Sequence, residues 1–187
     1  MAQIVMEHTL TEKVIYYFTR KAKQLPDMKL YAILDTARDE RIYPALMEYR
    51  CEYRHLYRGS LPPVLEEVAP HLVEVNPRSA FARWLIEEGW GMSWGIFLAS
   101  PARLDVLKNH FRDLIRVRDE QGRVIYFRYY DPRVFRVYMP TCNSEELQTV
   151  FGRVRHFFTE GENGNLVIEY GVENSRFFKR VTRFVTL

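Results

Sequence analysis

The segment Ser79-Ala80-Phe81-Ala82-Arg83-Trp84-Leu85-Ile86-Glu87-Glu88-Gly89-Trp90-Gly91-Met92-Ser93-Trp94-Gly95-Ile96-Phe97-Leu98-Ala99 sets the architecture. Ser79 is a helix-capping residue type, and Phe81, Trp84 and Leu85 fall at i, i+3 and i+4 on one helical face. Gly89 stands where a left-handed C-terminal residue is wanted. Trp94-Gly95-Ile96-Phe97-Leu98-Ala99 is then a continuous apolar run, the pattern of a strand buried on both faces. Ser100-Pro101 follows at once, an N-cap type before a proline. A long helix is expected from there, with Leu104, Leu107, Phe111, Leu114 and Ile115 as the stripe that covers a sheet.

Working outward, Thr9-x-x-Glu12 resembles a capping box. Val14, Ile15, Phe18, Ala22 and Leu25 continue it as a helix that Pro26 stops. Lys29 to Asp35 is a second doubly buried strand, with Asp35 at its C-terminal end. A helix is expected over Asp39 to Arg50, and short strands over Tyr53 to Tyr57 and His71 to Val75. Beyond the long helix, Arg116 to Arg118 and Arg123 to Tyr130 read as a hairpin turning at Asp119-Glu120-Gln121-Gly122, with Tyr126, Arg128 and Tyr130 on one face. Asp131-Pro132 opens a short helix that ends near Pro140, and Ser144 to Phe151 forms another, closed by Gly152. A second hairpin, Val154 to Thr159 and Leu166 to Tyr170, turns around Asn163-Gly164. The interleaving of strands and helices predicts an α/β (mixed α+β) fold: a central mixed β-sheet flanked by helices, with a C-terminal β-hairpin.

At 187 residues, 47% apolar and 27% charged, the chain suits one compact core and is too short for two full catalytic domains. No apolar run approaches the ~18 residues of a membrane span, and Met1 to Thr11 lacks the apolar centre of a signal peptide, so a cytoplasmic protein is expected. Cys51 and Cys142 show no CxxC spacing and are expected as reduced thiols. The net charge of +3 is a mild basic tilt, with 15 basic against 11 acidic residues in 94–187. Of the 27 basic residues 21 are Arg, which reflects either genome base composition or a use for planar, multidentate donors.

The five histidines are scattered without HExxH, and the sequence contains no GxSxG, GxxxxGK[ST] or GxGxxG motif. No catalytic, cofactor or metal residues are therefore assigned, and a non-enzyme is expected. Asp35 and Asp131 each close an apolar strand, where open sheets place sites, but the simpler reading makes both capping residues. Arg128 is a bidentate donor whose natural partner is Asp131. Trp84 and Trp94 fit a core, whereas Trp90 lies in a Gly-Trp-Gly turn where its ring is expected to be available to a partner. The tail Arg176 to Phe184 alternates aromatic and basic residues, including Arg176, Phe178, Lys179, Arg180 and Arg183. It suits an edge strand or a partner-docking segment, with nucleic-acid binding as the alternative.

The order of Tyr31-Ala32-Ile33-Leu34-Asp35, Ala69-Pro70-His71-Leu72-Val73, the Trp84 helix into Gly89-Trp90-Gly91-Met92-Ser93-Trp94-Gly95, and Phe127-Arg128-Tyr129-Tyr130-Asp131-Pro132-Arg133 resembles the effector-chaperone, or adaptor, domain of bacterial type VI secretion systems. That family was long catalogued as a domain of unknown function. The resemblance covers about Leu30 to Gly152. It makes Asp35, Trp84, Trp94, Gly95, Arg128, Tyr130, Asp131 and Pro132 its structural motif residues. It implies a non-catalytic protein that binds a cognate toxic effector in the cytoplasm and helps load it onto the spike protein. On this basis residues 1–29 form an N-terminal helical extension, 30–152 the effector-chaperone-like α/β domain, and 153–187 a C-terminal hairpin and basic-aromatic tail expected to pack on the same domain. Many relatives continue into a further C-terminal lobe, so a compact variant is implied, with specificity placed in the second hairpin and tail.

Overall fold

A computed structural model describes residues 8–118, 121–173 and 176–184. Helix α1 (Leu10–Gln24) starts at the expected capping box: Thr9 Oγ1 accepts from the Glu12 amide, and Glu12 Oε2 accepts from the Thr9 amide. Strand β1 (Lys29–Asp35) follows and is buried at every position after Lys29. A 3-10 turn over Thr36–Arg38 leads to α2 (Ile42–Glu48), shorter than expected at both ends: Pro44 is held in its first turn, and Arg50, beyond its end, has φ +52°. Then come β2 (Tyr53–His55), α3 (Pro63–Glu67), β3 (Pro70–Glu74), α4 (Ala80–Gly89) and β4 (Gly95–Ser100). The second half contains α5 (Leu104–Ile115), β5 (Arg116–Arg118), β6 (Val124–Tyr126), α6 (Pro132–Tyr138), α7 (Ser144–Phe151), β7 (His156–Glu160), β8 (Leu166–Glu173) and β9 (Arg176–Arg183).

The fold is mixed α+β. A seven-stranded sheet runs β2-β3-β1-β4-β7-β8-β9, and β5 with β6 forms a separate ribbon. Every pair in the large sheet is antiparallel, where the alternation of strands and helices suggested a mixed sheet. The reason is local. β3 and β4 run parallel and are joined by α4, as a crossover requires, but β1 lies between them and is antiparallel to both.

The pleat of β1 divides the core. Tyr31 and Ile33 face α5, α6 and α7 with Leu72, Ile96, Leu98, Phe157 and Tyr170, while Leu30, Ala32 and Leu34 face α1, α2 and α4 with Val73, Phe97 and Phe158. This two-sided burial is what the continuous apolar runs demand. At the β1–β4 contact a Cβ on Gly95 would lie 2.0 Å from the Ile33 carbonyl oxygen, so only glycine lets these strands approach.

Several boundaries differ from the sequence reading. Ser100 does not cap α5. It is the buried last residue of β4, donates its hydroxyl to the Arg153 carbonyl at 2.8 Å and accepts from the Ala102 amide, and Arg103 takes the cap position. Gly89 remains helical and is needed for space, since a Cβ there would meet the Trp94 ring at 2.4 Å; the left-handed residues of the loop are Gly91, with φ +92°, and Ser93, with φ +58°. The strand before α6 ends at Tyr126, so Arg128 and Tyr130 lie in a turn rather than on one strand face. Asp119 and Glu120 of the expected turn lie outside the described residues.

The N-terminal helix joins the same core: Val14 and Phe18 are buried, and Phe18 meets Phe97 and Phe158. An ion pair fixes its position. Lys21 Nζ lies 2.8 and 2.7 Å from the two Glu169 oxygens on β8, and His156 Nδ1 lies 3.0 Å from Oε1. Burial raises the Glu169 carboxyl, but His156 and Lys21 overcome it and hold it at about 2. A depressed carboxyl stabilises the fold above its ordinary value of 4.5, and that contribution is lost as pH falls toward 2. Glu169→Gln is therefore expected to cost about 2 kcal/mol near neutrality, and its deficit should close as pH falls through that window. Urea unfolding of both proteins across that range measures it; a deficit unchanged at the acid end would contradict the account.

Candidate functional site: a basic groove beside an open strand edge

Two constellations concentrate the motif residues. The first lies at the C-terminal end of β1. Asp35 is buried, its amide donates to the Trp94 carbonyl at 2.8 Å, and its Oδ2 has no hydrogen-bond partner among the described residues. Burial pushes its carboxyl up, opposed by the nearby Arg128 and Arg38 charges and the Ala37 amide. The Tyr57 and Tyr130 hydroxyls are also raised, chiefly by burial and next by the Asp35 charge. Arg128 does not pair with Asp131, contrary to the sequence reading. Asp131 caps α6 by accepting from the Arg133 amide at 2.9 Å, and the Arg133 side chain closes on both of its oxygens at 2.5 to 3.2 Å. Burial works against the Asp131 charge, but these Arg133 contacts hold its carboxyl below the ordinary value. Helix geometry decides this outcome: a side chain two residues into the first turn reaches the cap, whereas Arg128 is left exposed on the preceding turn. Asp35 thus feels the charges of Arg128 and Asp131, and among the described residues no hydrogen bond joins the three side chains.

The second constellation joins the Gly-Trp-Gly loop to the C-terminal hairpin. Glu160, at the end of β7, is buried and accepts from the Gly91 amide at 2.6 Å and the Ser93 amide at 2.8 Å. Desolvation raises its carboxyl against the pull of these two donors and Arg136. Trp90 donates its indole N–H to the Gly164 carbonyl at 2.6 Å and packs its ring against Phe18 and Phe97. The expectation that Trp90 is available to a partner is thus corrected: the ring is half-buried and tied to the Asn163-Gly164 turn. Gly91 and Gly164 meet backbone to backbone, and both have positive φ. Trp84 and Trp94 sit as expected in the core, 5.5 Å apart, with Trp94 buried.

From this clamp extends a groove of about 810 Å³ between α6 and the β8–β9 pair. Its floor is Leu166, Ile168 and Val181; its basic lining is Arg133, Arg136, Lys179 and Arg183, with Glu162 the acidic residue. Arg136 is held by the Glu160 carbonyl at 2.9 Å, and Arg133 by Asp131, so both guanidiniums are positioned from behind. Val137 on α6 and Val181 on β9 are 74% and 55% exposed, apolar surface set among cations. On the opposite face of β9, Arg180 pairs with Glu173 at 2.8 Å and stacks over Phe178 at 4.0 Å. Arg176 begins the strand and is exposed. Sequence reading found the tail but missed the α6 side of the groove, because Arg133, Arg136 and Val137 are separated from it by some forty residues of chain. The i, i+3, i+4 spacing of those three was the available signal.

Among the described residues no group of three or more His, Cys, Asp or Glu side chains is placed to hold a metal, and no helix is long and apolar enough to cross a membrane. Cys51 and Cys142 are unbridged, and burial raises both thiols, Cys51 to about 11. Trp90→Ala is expected to cost about 2–3 kcal/mol, from lost ring packing and an unpaired Gly164 carbonyl. A lowered urea midpoint measures it; unchanged stability would show that the indole does not hold the hairpin.

No curated protein and no solved structure matches the chain significantly. A family model described as Domain of unknown function (DUF4123) matches residues 30–149, the stretch from β1 into α7 that builds the α6 wall and the Gly-Trp-Gly loop but not the hairpin and edge strand. That match takes in well over half of the sequence, and the chain belongs to this family of domains of unknown function.

Proposed function

We propose that the protein is a non-catalytic effector chaperone of a bacterial type VI secretion system, which binds a cognate toxic effector in the cytoplasm and promotes its loading onto the spike protein. The four ordered motifs between Tyr31 and Arg133 support this reading through their resemblance to such adaptors. The observation that carries it on the structural side is the groove between α6 and β9. Its Arg-rich rim, exposed valines and apolar floor are the surface chemistry of a protein-docking site. In this reading the domain supplies one wall and the C-terminal hairpin the other, so the clamp at Glu160 and Trp90 fixes the shape presented to the effector. Transfer to the spike would proceed by competition between protein surfaces.

A nucleic-acid-binding module is the rival, favoured by the four cations lining the groove. Affinity capture of the tagged chain from its native bacterium at moderate salt, with mass spectrometry of what co-purifies, separates the two. The expected result is one dominant effector, with or without a spike protein. Recovery of nucleic acid alone, lost steeply with added salt, would overturn the chaperone reading.

A further inference from the structure

Among the described residues β9 lies at one end of the sheet, with β8 as its one paired neighbour. Its register sets Leu166 opposite Arg183, and the Phe184 amide donates to the Asn165 carbonyl at 2.9 Å. In an antiparallel ladder both main-chain groups of a residue point to the same side and alternate along the strand. Phe178, Arg180 and Thr182 therefore bond to β8, while Phe177, Lys179, Val181 and Arg183 present their N–H and C=O groups to the open edge. Those same odd-numbered residues carry their side chains on the groove face, with Lys179, Val181 and Arg183 in its lining. No ion-pair partner is present on Lys179 or Arg183 among the described residues.

We propose that β9 accepts an extended segment of the partner protein as an additional antiparallel strand, and that this segment reads acidic–x–apolar–x–acidic. Side chains directly opposite one another in an antiparallel pair lie on the same face, about 5 Å apart. A residue opposite Val181 therefore meets an apolar neighbour, while the residues two before and two after it meet Lys179 and Arg183. Four edge residues supply the main-chain bonds, and the alternating side chains supply the selection. Charge decides the occupant. A second copy pairing symmetrically about Val181 would place Lys179 opposite Arg183 twice, and like charges facing each other are unfavourable. The inference rests on the chaperone reading for the source of the segment, the effector, while the edge itself is independent of that reading.

Because the Val181 amide points outward, Val181→Pro removes an edge donor without removing a β8–β9 bond. Lys179→Glu with Arg183→Glu reverses the exposed charges, and Val181→Ala keeps the amide as a control. Selection of random peptides of about twelve residues, enough to span the strand, against the full chain by messenger-RNA display is the direct test. The expected result is enrichment of the acidic–x–apolar–x–acidic pattern. The enriched peptides should bind about tenfold or more weakly to the proline and charge-reversed chains, while the alanine control keeps most of the affinity. Circular dichroism reports folding of each variant, and the charge-reversed chain decides the matter should the proline variant misfold. No enrichment, a consensus without acidic residues, or equal binding to all variants would overturn the proposal. So would a dimer in sedimentation that Val181→Pro abolishes, or nucleic acid competing for the same edge. The two readings fail differently: an effector captured equally by wild type and both variants removes the edge proposal and leaves the chaperone, whereas the peptide pattern without any captured effector does the reverse.

Discussion

The carboxylate of Glu160 is the point from which the functional face is organised. A buried charge is tolerable only when donors replace its lost water, and here the Gly91 and Ser93 amides do so from one side of the sheet. The same residue's carbonyl holds the Arg136 guanidinium. One position thus ties the loop before β4, the end of β7 and helix α6, and the Trp90–Gly164 bond closes the arrangement beside it. Glycine at 91 and 164 follows from this, because the two backbones touch where the loops cross. The Gly-Trp-Gly run is therefore a packing device that fixes the hairpin.

The division of the core by β1 accounts for where surface is left over. Helices α5, α6 and α7 cover one face over the central strands, and α1, α2 and α4 cover the other. Toward β8 and β9 the first cover stops at α6. The sheet face beyond it, with the half-buried Leu166 and the exposed Val181, remains open as a groove. An exposed strand edge invites unwanted pairing, and lysine and arginine along β9 guard against copies of the same chain. The guard is selective: it repels cations and leaves an acidic strand as the matching partner.

Much of this was legible in the sequence, for reasons that are local. Continuous apolar runs at Leu30–Leu34 and Gly95–Ala99 could only be strands covered twice, and Thr9, Ser79 and Asp131 each cap the helix expected of them. Asn163-Gly164 turned its hairpin as its chemistry requires, with Gly164 at positive φ. What stayed hidden depends on contacts distant in sequence. Ser100 looks like a cap until Arg153, fifty-three residues away, takes its hydroxyl. Trp90 looks exposed in its loop because its partner, Gly164, lies seventy-four residues on. Asp131 offered itself to Arg128 by proximity in sequence, but the first turn of α6 gives Arg133 the shorter reach. The groove was half visible for the same reason: its strand wall announces itself by alternation, and its helical wall is brought there only by the clamp.

The most direct test of a docking surface built on α6 and β9 is amide hydrogen exchange of the full chain, free and in complex with the effector that the proposed function assigns to it. The account predicts slowed exchange in the complex at Phe177, Lys179, Val181 and Arg183, whose amides face the open edge, with little change at the alternate positions already bonded to β8. Protection confined to other surfaces, with the exchange of β9 unaltered by the effector, would contradict it.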